Sequence, residues 1–279
     1  MLWPLMLAVA LAGPQAKSVG GAASPRTTSG FAPVVIHHVN QVMGTEHLPE
    51  GRGQVVYPGM FVVLATDRVQ IFDRDVAALD GGRLTDTTVE PECRSRCPAT
   101  LYHAFREQWL SAALESVTFA LGMPQRVLFA AHAELPTKTL LAVAYAAAET
   151  RPVQPPALSL LINGAGRGLQ AIKFHLLPPQ GLEVRRGAGA ALGMTITFGQ
   201  GRYAVTANDP DFVAPRQAQN LAGVRSITRA LKKRYPGKQT VVLVPDDTVS
   251  VRELVELTTV LREDFPRVVL SQGQELILP

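Results

Sequence analysis

Apolar residues recur along this chain in short β-branched runs and in stripes at helical spacing, and their order appears twice. In the first half, residues 60–64 and 69–72 are apolar runs separated by a polar break, which predicts a β-hairpin. After a polar insertion, an apolar stripe with members three or four positions apart predicts a helix over residues 100–121. The rest of this half is predicted as strand 127–131, helix 136–149, strand 158–162 and strand 169–177.

The same order returns after Gly193. The predicted elements are strands 194–198 and 203–207, helix 221–234, strand 241–244, helix 250–263 and strand 268–270. Ser250 and Glu253 form a capping box, in which each side chain accepts a free backbone N–H at the helix start. Laying Val127 beside Val241 aligns the two halves without a gap as far as Glu149 and Glu263. The pattern predicts a duplication. The alternative is chance recurrence of the order of strands, helices and turns that is common in α/β proteins.

The sequence therefore predicts an α/β (α+β) protein of two tandem small domains, each a short sheet with two helices on one face. The first domain is expected over residues 59–180 and includes an insertion that contains both cysteines. The second is expected over residues 190–279. Residues 17–58, which begin with a stretch rich in Gly, Ser, Thr and Pro, are predicted to be a linker or irregular.

Residues 1–16 are predicted to be a signal-like segment. Residues 2–12 are apolar and uncharged, shorter than the roughly 20 residues needed to cross a bilayer, and small residues follow them. This favours export to the periplasm, although no basic residue precedes the apolar run. The alternative is an apolar N-terminus on a cytoplasmic protein.

Composition narrows the function classes. Hydrophobic residues make up 47% of the chain, enough for a core, and the formal net charge is only +4. No Lys/Arg run is interleaved with aromatics as a nucleic-acid groove requires, so nucleic acid is not an expected partner.

The two cysteines, Cys93 and Cys97, enclose the short sequence Arg-Ser-Arg. In an oxidising compartment this spacing is compatible with a small disulfide loop. A zinc site normally needs four ligands and a redox motif has the spacing C-x-x-C, so both alternatives fit less well.

No catalytic residue, cofactor or metal ligand is predicted. Asp246 and Asp247 are adjacent on a turn, where two carboxylates usually diverge, so an acid/base pair is not favoured. Three histidines precede the first domain without a cysteine or carboxylate at ligand spacing, which favours a solvated loop over a metal site. They are His37, His38 and His47.

A glycine-rich turn follows one predicted strand, as a phosphate-binding loop would. Its sequence, Gly164-Ala-Gly-Arg-Gly168, lacks the spacing G-x-G-x-x-G, and residues 169–177 are expected to be extended rather than helical. A flexible turn is therefore the preferred interpretation.

The C-terminal third carries a specific combination of features. A buried strand from Thr240 leads to an acidic turn, a short polar lead-in to a helix, and a final strand in which Val268-Val-Leu precedes Ser271. This resembles the soluble periplasmic domain of the ExbD/TolR family, whose members accompany proton-driven motors in the inner membrane. The resemblance extends over residues 194–272 and, more faintly, over 60–162. It implies that Asp246 occupies the family's acidic-turn position.

The resemblance also implies a function. Family members have a transmembrane helix with an aspartate that takes part in proton passage; residues 2–12 hold no acid, so proton conduction is not expected. The implied role is that of an exported, non-enzymatic binding or scaffold protein of an envelope transport or motor assembly. Its expected partners are inner-membrane motor or transport proteins and peptidoglycan, met at exposed sheet edges.

Because the family's soluble domains pair as dimers, two copies in one chain are expected to form an intramolecular pseudo-dimer. Two other classes of function remain open at this stage. One is a periplasmic enzyme or small-ligand binder with a dispersed site, and the other is a duplication kept only for architecture.

Overall fold

The structure is a computed structural model that describes residues 31–119, 124–151, 154–164, 166–178, 193–208, 212 and 214–273. The predicted signal-like segment 1–16 and the first part of the predicted linker, residues 17–30, lie outside the described residues. Within the described part of the chain, no helix has the length and apolar character needed to cross a bilayer.

The first half of the chain contains three α-helices and seven strands among its described residues. The helices are α1 (Phe31–Val42), α2 (Ala99–Phe119) and α3 (Thr137–Glu149). The strands are β1 (Met60–Leu64), β2 (Arg68–Ile71), β3 (Arg74–Asp80), β4 (Arg83–Leu84), β5 (Arg126–Ala131), β6 (Ala157–Asn163) and β7 (Leu169–Leu176).

The second half follows the same plan with fewer elements. Its helices are α4 (Leu221–Arg234) and α5 (Val251–Leu261). Its strands are β8 (Thr195–Gly199), β9 (Arg202–Thr206), β10 (Arg216–Ala218), β11 (Thr240–Pro245) and β12 (Arg267–Leu270).

The predicted α/β class is confirmed, and the strand order repeats. One half is ordered β3-β2-β1-β5-β6 and the other β10-β9-β8-β11-β12. In each half the first three strands of this order pair antiparallel with their neighbours. The third strand, β1 or β8, pairs parallel with the fourth, and the fourth pairs parallel with the fifth. The repeated order of strands and helices expected from the sequence is therefore present, with three strands that were not predicted: β3 and β4 in the first half and β10 in the second.

The two expected short sheets are not separate, which corrects the prediction. The described strands form one twelve-stranded sheet, because β7 pairs on both of its edges. It runs antiparallel to β6, where Phe174 faces Leu158, and parallel to β12, where His175 faces Val269. A separate sheet in each half would leave β7 or β12 with unpaired backbone groups at that edge.

Residues 17–58 are not wholly irregular, because α1 lies within this range. Val35 and Val39 are buried, and they pack with Phe61 and Val63 on one face of the sheet. Their spacing of four residues puts them on one side of the helix. Tertiary burial thus stabilises a short helix whose β-branched residues have only modest helix propensity.

The core lies on both faces of the sheet. Met60, Val62 and Leu64 of β1 belong to the larger core, whereas Phe61 and Val63 point to the smaller core beneath α1. The larger core is continuous across the halves and contains buried side chains from α2, α3, α4 and α5. The four helices therefore share one face of the sheet.

Candidate functional site: the paired turns

The two halves meet through the turns that follow β5 and β11. We name residues 132–136 and 246–250 the paired turns. Pro136 and Ser250 form an antiparallel bridge between them. The backbone N–H of Thr137 donates to the carbonyl of Val249 at 2.8 Å, and that of Val251 donates to the carbonyl of Leu135, also at 2.8 Å.

These two hydrogen bonds are equivalent under the sequence alignment of the halves. In that alignment Leu135 matches Val249 and Thr137 matches Val251. Exchanging the halves therefore turns each hydrogen bond into the other. This is the reciprocal contact expected at a two-fold axis between like subunits.

The hydrogen bonds that each turn makes within its own half also repeat. His132 N–H donates to the carbonyl of Leu64, and Asp246 N–H donates to the carbonyl of Phe198, each at 2.9 Å. One bond further along, the Leu135 N–H donates to the carbonyl of His132 at 3.0 Å. Val249 makes the matching bond to the carbonyl of Asp246 at 3.4 Å.

His132 and Asp246 occupy equivalent positions and cap equivalent backbone groups. The imidazole Nδ1 of His132 accepts from the Glu134 N–H at 3.2 Å. The carboxylate of Asp246 accepts from the Thr248 N–H at 2.7 Å and from the Thr248 hydroxyl at 2.6 Å. The predicted acidic-turn residue thus stabilises its own turn, as aspartates in Asx-turns do.

The neighbouring aspartate has a different partner. Asp247 forms an ion pair with Lys138, which lies in the first turn of α3 in the other half. Because the Asp246 carboxylate bonds within its own turn, the two aspartates do not share a common partner. This matches the expected divergence of adjacent turn carboxylates.

A second ion pair crosses between the halves. Arg252 donates to one carboxylate oxygen of Glu134 through Nε at 2.9 Å and through a terminal nitrogen at 2.6 Å. Arg252 and Lys138 are equivalent in the alignment of the halves, and each binds an acid in the opposite turn. The two basic residues are therefore equivalent, whereas their acids, Asp247 and Glu134, differ by one position in the alignment.

His47 extends the junction. Its ring stacks on that of His132 with 4.8 Å between centroids, and its carbonyl accepts from the Ala133 N–H at 2.8 Å. Burial lowers the pKa of His132, and the nearby His47 lowers it further. A stacked pair of imidazoles in this position disfavours protonation of His132.

The three N-terminal histidines are dispersed over different contacts. His38 bonds to the carbonyl of Phe72, His37 lies 3.0 Å from the amide of Gln41, and His47 contacts His132. Among the described residues, no cluster of three potential metal ligands includes any of them.

The cysteine loop has a distinct anchor at the end of α3. Cys93 and Cys97 form a disulfide with their Cα atoms 5.7 Å apart. The Glu149 carboxylate accepts from the N–H of Arg94 at 2.7 Å, from the N–H of Ser95 at 2.9 Å and from the Ser95 hydroxyl. Sequence reasoning identified the cysteines but missed Glu149, whose contacts depend on the tertiary fold.

The glycine-rich turn joins two paired strands. Gly164 N–H donates to the Gly168 carbonyl at 2.9 Å, and β7 follows as a strand antiparallel to β6. A phosphate-binding loop would lead into a helix N-terminus, so this turn lacks that geometry.

A cavity of about 250 Å³ lies beside the end of α3. Its lining is mostly apolar, including Leu158, Phe174 and Leu177, with Tyr145, Glu149 and His175 as its titratable groups. Burial lowers the pKa of His175, and Arg267 and Lys173 lower it further.

The exposed side of α4 is strongly basic. This helix carries five cationic residues and no acidic one: Arg225, Arg229, Lys232, Lys233 and Arg234. Several of them line a groove of about 770 Å³ together with Asp264. Arg225 and Arg229 pair with Glu263, and Lys233 is exposed.

No family model and no curated protein matches the chain. Among solved structures, it is similar to the ethanolamine utilization protein EutJ from Carboxydothermus hydrogenoformans, at 11% identity and a TM-score of 0.22 over 88% of this chain and 96% of that one. It is also similar to a Bacteroides thetaiotaomicron protein of actin-like ATPase fold and unknown function, at 11% identity and a TM-score of 0.21 over 76% of this chain and 89% of that one. These TM-scores are too low to support an argument about fold or function.

Proposed function

We propose that this protein is an exported, non-enzymatic binding or scaffold protein of an envelope transport or motor assembly. In this proposal, two ExbD/TolR-like units pair inside one chain as a pseudo-dimer. The reciprocal hydrogen bonds between Thr137 and Val249 and between Val251 and Leu135 carry the argument. A backbone exchange between equivalent positions is the contact that two copies of one binding domain make when they dimerise.

The chemistry of the paired turns supports a non-enzymatic role. Asp246 is hydrogen-bonded within its own turn, and Asp247, Glu134, Lys138 and Arg252 form ion pairs between the halves. A general acid or base needs a group that faces a reacting centre. The polar side chains at this junction instead hold the halves together.

Two surfaces suit the expected partners. The edge strands β4 and β10 end the sheet, and an extended segment of a motor protein would add to such an edge through backbone hydrogen bonds. The basic groove of α4 suits peptidoglycan, because the peptide stems of that polymer carry carboxylates. Each surface leads to a separate test.

The peptidoglycan contact is tested by sedimentation of the full chain with purified sacculi. We expect the unaltered protein to pellet, Lys233→Glu to reduce the pelleted fraction, and Arg83→Glu to leave it unchanged. Both variants change the net charge equally, but Arg83 lies in β4 at the other end of the sheet. Equal losses in both variants would show that only net charge matters and would contradict a site on α4.

The protein contact is tested by a photo-crosslinking residue placed at Gln217 of β10 in cells of the source organism. We expect a crosslink to an inner-membrane motor or transport protein, and none from the same probe at Ser226 on the exposed face of α4. The proposed function would be rejected if the probe at Gln217 gave no crosslink and the unaltered protein also failed to pellet with sacculi.

The competing function is that of a small-ligand binder, and the cavity beside α3 is the feature that favours it. Its volume of about 250 Å³ falls below the roughly 300–1,000 Å³ typical of ligand pockets. The binding role at exposed surfaces is therefore the stronger proposal.

A further inference from the structure

The cysteine loop and the end of α3 bring three metal-binding atoms together. The sulfur atoms of Cys93 and Cys97 and a carboxylate oxygen of Glu149 all lie within 4.8 Å of one another. They form the one such cluster of three among the described residues. We propose that, when the disulfide is reduced, these three side chains bind a divalent zinc-like cation.

The geometry fits such an ion. Zinc lies about 2.3 Å from thiolate sulfur and about 2.0–2.2 Å from carboxylate oxygen, so tetrahedral ligands stand roughly 3.5–3.8 Å apart. Glu149 Oε2 is 3.4 Å from the Cys93 sulfur. Opening the disulfide removes the bond that holds the two sulfurs closer together than zinc ligands stand.

The surroundings orient the carboxylate. Ser95 donates to Oε1 of Glu149 through its N–H at 2.9 Å and through its hydroxyl, and Oε2, which accepts from the Arg94 N–H at 2.7 Å, lies against the Cys93 sulfur. Hydrogen bonds of this kind to a ligating carboxylate fix its position and strengthen metal binding. Both cysteines are buried, at 4% and 1% exposed, so the sulfurs are shielded from bulk water.

Charge and ligand type select the class of ion. Two thiolates and one carboxylate place three negative charges around a divalent cation, and the exposed Arg94 and Arg96 lie within the loop. Mixed sulfur and oxygen ligands favour zinc-like ions over calcium or magnesium, which prefer oxygen alone. Three protein ligands leave a fourth position for water.

The chemistry balances with a dithiol as the reductant. The Cys93–Cys97 bond takes up two electrons and two protons and gives two thiols, while the dithiol is oxidised to its own disulfide. The cation then displaces the two thiol protons as it binds. The loop is thereby closed on itself by a disulfide in one redox state and joined to Glu149 of α3 through a metal in the other.

The test uses cobalt(II) as the probe with the full chain, reduced by a dithiol and freed of it under anaerobic conditions. We expect one cobalt per chain, with the near-ultraviolet absorption of thiolate-to-cobalt charge transfer, and its loss on addition of zinc. The oxidised protein should give no such band. No band in the reduced protein would overturn the proposal.

Variants assign the ligands. Cys93→Ser/Cys97→Ser should abolish the band, and Glu149→Gln should weaken cobalt affinity by about tenfold or more. Glu92→Gln, an exposed acid in the same segment, is the matched control and should leave affinity unchanged. Unchanged affinity in Glu149→Gln would exclude the carboxylate as a ligand and overturn the three-ligand site.

Proteolysis gives a readout that does not depend on absorption. Arg94 and Arg96 are exposed trypsin sites within the loop. We expect zinc to slow their cleavage in the reduced protein but not in the reduced Glu149→Gln variant. Equal cleavage with and without zinc in the unaltered protein would contradict the proposed site.

Discussion

The backbone N–H groups of Glu134 and Thr248 each donate a hydrogen bond to the side chain two residues earlier. In the first half that side chain is the imidazole of His132, and in the second it is the carboxylate of Asp246. Both provide an acceptor at a similar distance along the side chain, which is the requirement of this turn. The ungapped alignment already placed these residues together, although their chemical difference hides the shared role.

The imidazole makes its turn sensitive to pH. Burial and the neighbouring His47 lower the pKa of His132 below its unfolded value of 6.5. The unfolded chain therefore takes up a proton at higher pH than the folded chain, so this group's contribution to stability is complete above pH 6.5 and decreases as the pH falls below it.

We expect His132→Asn to reduce this pH dependence, because the amide oxygen can accept from the Glu134 N–H without titrating. The measurement is urea unfolding of both proteins at pH 8 and pH 5. His175 also titrates with a lowered pKa, so the comparison is the difference between variant and unaltered protein. An equal loss of stability in both proteins between the two pH values would contradict this role of His132.

Gly199 lies directly against the Asp246 carboxylate. A Cβ atom at this position would overlap the carboxylate, whereas one at Gly237 would meet no atom within 4 Å. We expect Gly199→Ala to lower the free energy of unfolding by about 1–3 kcal/mol, as overpacking of a tight contact does. Denaturant unfolding measures this loss, and Gly237→Ala should show much less.

The double variant Gly199→Ala/Asp246→Ala separates overlap from other effects. If the alanine methyl destabilises the protein by displacing the Asp246 carboxylate, Gly199→Ala should cost less stability in the Asp246→Ala background. The losses of the two single variants then do not add. Strictly additive losses would show that Asp246 is not what confines residue 199.

At the scale of elements, the two helices that leave the paired turns begin differently. Ser250 caps α5 in a complete capping box with Glu253, whereas Pro136 precedes α3 and provides no side-chain cap. Proline restricts the backbone at the start of α3, and the Thr137 N–H is instead satisfied by Val249 of the other half. Both helices therefore receive a backbone acceptor from the opposite turn, since the Val251 N–H of α5 donates to Leu135, but only α5 adds a side-chain cap of its own.

We expect Ser250→Ala to destabilise the protein by about 0.5–2 kcal/mol, because the backbone N–H of Glu253 at the start of α5 loses its acceptor, the Ser250 hydroxyl. Ser226→Ala is the matched control, since Ser226 is exposed in the middle of α4. Chemical denaturation of both variants measures the difference. A loss no larger than that of the control would show that the capping box contributes little.

Elements with a strong local signal follow from the sequence, and those stabilised by distant contacts do not. The bounds of α4 match the prediction, because an apolar stripe, basic residues in the last turn and Pro236-Gly237 all define it. By contrast, β3 is largely exposed and does not alternate, and α1 depends on burial of Val35 and Val39 against β1. Local periodicity carries no information about such partners.

The candidate site shows the same division at the scale of the whole molecule. Sequence reasoning found the Asp246 turn, the equivalence of the halves and the two cysteines. It did not find the bridge between Pro136 and Ser250, because that bridge joins backbone groups and needs no particular side chain. The double pairing of β7 is likewise set by which strands lie beside it in the folded sheet.

The ion pairs between the halves are expected to couple in a charge-exchange experiment. Arg252→Glu and Glu134→Arg should each destabilise the protein slightly, and the double variant should recover most of the loss. Both side chains are about half exposed, so the coupling energy should stay below about 1 kcal/mol and shrink with added salt. A double-mutant cycle from urea unfolding measures it, and zero coupling at low salt would rule out this cross-half contact.

The continuous core and the β7–β12 pairing predict that both halves unfold together. Trp109 is buried in the first half, and Phe265, in the second half, is fully buried. In a Trp3→Phe background, Trp109 is the only tryptophan, so its fluorescence reports unfolding of the first half. Phe265→Ala should cost about 3–5 kcal/mol, and cooperative unfolding requires that this loss also lower the midpoint seen by Trp109.

The measurement compares Trp109 fluorescence with far-ultraviolet circular dichroism during urea unfolding. We expect coincident transitions in both proteins and the same shift in both signals, because the larger core includes side chains from all four helices on its face of the sheet. A Trp109 transition that stays in place while the dichroism shows an earlier loss of the second half would mean that each half folds on its own. The joined sheet would then contribute little to stability, and the paired turns would be a contact between independent units.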